Sequence, residues 1–153
     1  MTFSFTSNGK MPSFIPIDKD NFALADDLKV WIDKYCFVIP AGFVTNFRSG
    51  PSIADLVLPK WGTDISIAVL IVIHDYFYSI DCCPILSRKE SDNLLKEGLI
   101  YMNYSKLKAN LVYRALRLFG ESHFKKEFIR VWNPKKQAIE NLNTSYLLDP
   151  KLN

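Results

Sequence analysis

The run from Ile65 to Ile80, ISIAVLIVIHDYFYSI, constrains the fold of this chain more than any other stretch. It is the most apolar segment, and a His-Asp pair interrupts it. At helical period, His74 shares a face with Ile67, Leu70, Ile71, Phe77 and Tyr78. Asp75 follows about 100° further round, beside Val72 and Ser79. An imidazole and a carboxylate in such company must be paired, bound to a cation or set at the rim of a cleft. Buried alone they would carry a large desolvation cost or change their protonation.

The length, 153 residues, suits one domain, and an apolar fraction of 48% is ample for its core. A formal charge of +3 does not argue for a nucleic-acid partner. Cys36, Cys82 and Cys83 are odd in number and form no CxxC, which fits a reducing compartment rather than a disulfide framework. The start, MTFSFTSNGKMPSF, has no basic segment followed by an apolar one, so secretion by a signal peptide is not expected. Ala54 to Ile73 would span a bilayer only if Asp55, Pro59, Lys60 and Asp64 were ignored, and no transmembrane segment is expected.

Residues 1–12 read as a polar lead-in, and Phe14 to Pro40 as short strands. Phe14–Ile17, Phe22–Leu24, Leu28–Ile32 and Tyr35–Ile39 are separated by Asp-rich turn signals, with a tight hairpin at Asp33-Lys34. Pro40 to Pro51 is a loop bounded by Pro and Gly, and Ser52 to Trp61 holds at most a short helical turn. Asp64 is placed to cap the central helix. After the break at Asp81-Cys82-Cys83-Pro84, Ser87-Arg88-Lys89-Glu90 forms a capping box that opens a second helix to about Met102, where Gly98 permits close packing. Ser105 caps a third helix, Lys106 to Phe119, whose expected apolar stripe is Leu107, Leu111, Ala115, Leu118 and Phe119; Gly120 stops it. A fourth helix is expected from Glu121 to Trp132, ended by Asn133-Pro134. Residues 1–132 then form one domain and 133–153 an extended tail. Strands followed by helices predict an α+β fold. A small N-terminal antiparallel sheet packs on a three- to four-helix C-terminal half with a central antiparallel helix hairpin.

That hairpin brings Asp92, early in the second helix, level with His74 and Tyr78, late in the first. Asp92 is expected to accept Nδ1–H of His74, leaving the other ring nitrogen to act as a base toward water. Asp75, next door, is the candidate ligand for a hard cation such as calcium. The same residues also make a satisfied network that only ties two helices together. Lys106, Lys108, Arg114 and Arg117 read as a solvated face, with an anionic partner as the second reading. Metal-dependent phosphohydrolase chemistry of the His-Asp type needs further histidines, and only His123 remains.

Five segments carry a resemblance: PAGFVTNF at 40–47, Trp61-Gly62, HDYFY at 74–78, SRKESD at 87–92 and YRALRLFG at 113–120. In this order and spacing they resemble the phage and bacterial domain of unknown function 1353. Asn46 stands where that pattern has an acidic residue. The resemblance implies a phage or prophage origin and no assigned activity. His74, Asp75, Tyr78 and Asp92 also resemble the active-site set of secreted phospholipase A-two. That likeness implies calcium on Asp75, water activated by His74, and a ring held by Asp92 and Tyr78. The chain lacks that family's disulfides and its glycine-rich calcium loop. Residues Gly42, Phe43, Thr45, Asn46 and Ser49 would serve as the binding loop in its place.

The expected function is a phage-encoded accessory or virion component, of tail or neck, with a hydrolase-like His/Asp core. Its partners would be proteins of the particle or of the host, and its place the virion or the host cytoplasm. The alternative is a calcium-assisted hydrolase of an ester or amide bond.

Overall fold

The computed structural model describes residues 2–33, 35–46, 64–79, 86–124 and 128–143. The N-terminal half is β-structure and begins earlier than the sequence suggests: Phe3–Thr6, within the expected polar lead-in, is a strand, and Phe3 and Phe5 pack against the core. Strands β1 (Phe3–Thr6), β4 (Leu28–Ile32) and β5 (Tyr35–Ile39) form one antiparallel sheet in the order β1-β4-β5. Strands β2 (Phe14–Pro16), β3 (Phe22–Leu24) and β6 (Val44–Thr45) form a second, in the order β2-β3-β6. Strand β4 alternates strictly: Leu28, Val30 and Ile32 are buried, Lys29 and Trp31 exposed. Ile32 pairs with Tyr35, as the hairpin expected there requires. Asp33 there has φ 49°, a conformation that Asp tolerates better than most residues.

Three helices follow: α1 (Ile65–Ser79), α2 (Arg88–Tyr101) and α3 (Lys106–Phe119). Asp64 accepts Ser66 N–H at 2.8 Å through its side chain, which opens α1 where the sequence places it. Residues 67–74 and 76–78 of α1 are all buried. A helix covered on every side has no use for a polar face, which explains its apolar run. The rings of Tyr76 and Phe77 meet Phe37 of β5, with centroids 6.2 and 5.0 Å away, and so join helix to sheet. On α2 the capping box of Ser87 and Glu90 is complete. A Cβ on Gly98 would lie 2.6 Å from Leu70 Cδ2, so the bare glycine lets α2 close onto α1. No described helix is long and apolar enough to cross a membrane.

Two further sequence expectations are corrected. The expected fourth helix is a 3-10 turn (Gly120–His123) followed by strand β7 (Phe128–Asn133), which pairs with β8 (Ala138–Asn143) as an antiparallel hairpin. Phe128-Ile129-Arg130-Val131-Trp132 is rich in β-branched and aromatic residues, and Ile129 fills a fully buried place in the core. Asn133 is the hinge of this hairpin instead of a helix end: its Oδ1 accepts the N–H groups of Lys135 and Lys136, at 3.0 and 3.3 Å. The hairpin spans the boundary that the sequence suggests at residue 132. The second correction concerns α3. Its buried side is Ala109, Val112, Ala115 and Leu116, while Leu107, Leu111, Leu118 and Phe119 are exposed. Ala109 and Ala115 let α3 lie close to its neighbours, and Val112 and Leu116 fill the core between them.

The chain thus has an α+β fold, with antiparallel sheets first and the helices of the C-terminal half after them. Ser52–Trp61, the Cys82-Cys83 pair and the sequence from Thr144 onward lie outside the described residues.

Candidate functional site

Three segments that are far apart in sequence converge on one carboxylate. Asp92 is fully buried on the first turns of α2. Its Oδ1 faces His74 Nε2 at 3.1 Å and accepts the hydroxyl of Tyr78, both from the last turns of α1. Its Oδ2 accepts Arg117 Nη1 at 2.8 Å from the end of α3. One acid therefore holds all three helices at their common end. Arg88 adds a further tie, donating Nη2–H to the Arg117 carbonyl at 3.1 Å. Gly120 makes room for the network, since a Cβ there would lie 2.9 Å from the Tyr78 hydroxyl oxygen.

The electrostatics follow from this packing. Burial alone would raise the pKa of Asp92. The hydrogen bonds from His74, Tyr78 and Arg117 outweigh it and hold the carboxyl below its ordinary value of 3.8. Tyr78 moves far upward from 10.0, because burial and the adjoining Asp92 carboxylate both oppose a phenolate. Arg117 is raised by its bond to Asp92. A pH dependence of stability follows. The unfolded chain binds more protons than the folded one as pH drops below about 3.8, so the contribution of Asp92 is complete above that value and is lost on acidification. The unfolded chain releases the Tyr78 proton first as pH rises past 10.0, so stability also falls on the alkaline side. Melting curves from pH 2 to 11 are expected to show both limbs, and Asp92→Asn should flatten the acid limb.

The sequence predicts the His74–Asp92–Tyr78 contact but assigns the wrong nitrogen. Nε2, at the outer end of the ring, reaches across to α2; Nδ1, nearer the backbone, stays on the α1 side. Nδ1 is buried with no hydrogen-bond partner among the described residues. His74 as a whole is 2% exposed. The rings of His74 and Tyr78 lie one turn apart with centroids 4.2 Å from each other.

Asp75 projects from the other side of α1, half-buried, and its Oδ2 accepts the Thr45 hydroxyl at 2.6 Å. That bond ties β6 to α1. Among the described residues no group of three His, Cys, Asp or Glu side chains is arranged to hold a metal ion. The proposed binding loop divides. Gly42 has φ 80°; its N–H donates to the Leu24 carbonyl at 2.7 Å, and its own carbonyl accepts Trp132 N–H at 2.8 Å. Phe43 is fully buried, edge-on to Tyr76 at 5.5 Å. Thr45 is buried and Asn46 exposed. Gly42 and Phe43 therefore stitch β3 to β7, while Ser49 lies outside the described residues.

Arg117 is the residue that sequence reasoning missed. It reads as one of several cations on a helix surface, yet its guanidinium is the third partner of Asp92. A signal was present. Arg117 and Gly120 sit together in RLFG, and both meet Tyr78 or Asp92 at the network.

Residues 22–116, more than half of the chain, match the family described as Protein of unknown function (DUF1353). No curated protein and no solved structure matches the chain.

Proposed function

The chain belongs to the DUF1353 family, and we propose that it is a phage-encoded accessory or virion component in which the hydrolase-like His/Asp core is a structural lock. One observation carries the reading. Both oxygens of a fully buried Asp92 are taken by donors from α1 and α3, and the ring nitrogen of His74 that faces away from it is buried as well. A base that is to activate water must present a lone pair to a wet cleft. A lock has no such need. The phage assignment rests on the pattern of PAGF, HD-x-x-Y, SR-x-x-x-D and RLFG. Partner proteins are supported by the leucines that α3 exposes.

A second reading is favoured by one feature, the unpartnered Nδ1. Beside a carboxylate whose two oxygens are both bonded, a bare imidazole nitrogen fits a base awaiting water in a hydrolase of esters or amides. Tyr78 and Asp92 would then orient the ring, and Asp75 would take the calcium ion.

Two measurements on the same preparation test the proposal. Mass spectrometry of purified phage particles is expected to find this chain, and a calcium titration followed by thermal unfolding is expected to be flat. Absence from the particles would remove the virion role. A melting temperature that climbs with calcium, and ceases to do so in Asp75→Asn, would move the conclusion to the hydrolase.

A further inference from the structure

Two surfaces of this chain complement each other without meeting in the monomer. The first is the outer face of α3. Leu107, Leu111 and Leu118 fall within about 40° of one another round the helix and run for about 16 Å along it. Leu107 and Leu118 are 72% and 74% exposed. Lys106 and Arg114 edge this stripe, and α3 contains no acidic residue. The second is a groove of about 760 Å³ between α2 and the β4–β5 turn. Leu86 and Leu94 are half-buried in its wall; among the described residues Asp33, Glu90 and Glu97 line it against Lys89, and Glu97 pairs with Lys96 at 3.0 Å. On α2, Glu90, Leu94 and Glu97 recur at the i, i+4, i+7 spacing that receives a helix laid alongside.

We infer that the leucine stripe of α3 docks into the acidic groove beside α2 of a second copy of this chain. Charge selects this pairing over its rivals. Two α3 faces packed symmetrically would bring like charges together, since every charged side chain on α3 is basic. Stripe against groove sets Lys106 and Arg114 against Asp33, Glu90 and Glu97, with leucine meeting leucine. Exchanged reciprocally between two copies, the contact closes a dimer; passed from copy to copy, it builds a ring or an open array. One helix face covers less than a standard interface, so association is expected at about 100 µM chain, well above the nanomolar range of tight complexes. The inference stands apart from the buried lock: a strictly monomeric chain would overturn it and leave the Asp92 network untouched.

Sedimentation velocity of the full chain over about two decades of concentration tests it. The weight-average mass is expected to rise with concentration and to fall back in high salt. Leu118→Glu and Glu97→Arg should each cut the association constant at least about tenfold, with unchanged melting temperatures because both positions are exposed. Arg114→Glu combined with Glu97→Arg in one chain should restore association. Three results would overturn the proposal. They are a monomer at every concentration, association that survives Glu97→Arg but not Leu118→Glu, and a monomer that instead binds vesicles of anionic phospholipid through Leu118.

Discussion

Asp92→Ala is expected to be the most damaging single substitution in the helical half, lowering the unfolding free energy by about 3–5 kcal/mol. The side chain is small, so the loss is not one of packed volume. Removing it strands the donors of His74, Tyr78 and Arg117 around a buried position that has lost its only acceptor for them. For a domain of this size the melting temperature should fall by roughly 10 °C or more. A double-mutant cycle with Arg117→Leu separates the ion pair from the rest. Arg117→Leu alone leaves the Asp92 charge with fewer donors and is itself costly. The double variant should therefore be less destabilised than the sum of the two singles. A fall of less than about 2 °C for Asp92→Ala would mean that the network does not hold the helices together.

Gly42→Ala carries the second largest effect. The glycine has φ 80°, where an L side chain is strained by about 1–2 kcal/mol. The added Cβ would also lie 2.8 Å from Val131 Cγ1 and 3.0 Å from the Trp132 carbonyl oxygen. Val131 can shift, but the carbonyl belongs to strand β7 and cannot move without breaking the Trp132-to-Gly42 hydrogen bond. The combined cost is expected to be about 2–4 kcal/mol. Hydrogen exchange should show it first as lost protection in β7 and β8, before α1 is affected. Protection lost uniformly, or not at all, would show that the PAGF loop does not anchor the C-terminal hairpin.

The α+β order, the three helices with their caps and the contact among His74, Tyr78 and Asp92 were legible in the sequence. Each of these depends on local chemistry: a capping box at Ser87, a turn at Asp33, helical spacing between residues 74 and 78. The buried side of α3 was not legible. Its pattern contains two apolar stripes, and only the neighbours that α3 meets decide whether Val112 or Leu111 turns inward. Nor was β7, because a short apolar segment next to the charged residues of 121–127 satisfies helix and strand alike until a partner strand and a place in the core exist for Ile129. The ring nitrogen of His74 that meets Asp92 depended on how far α2 lies from α1, a distance fixed by Gly98 against Leu70. Arg117 is the plainest case. A guanidinium on a helix surface has the same local sequence whether it faces water or a buried acid, and only the packing of α3 against α2 brings it to Asp92.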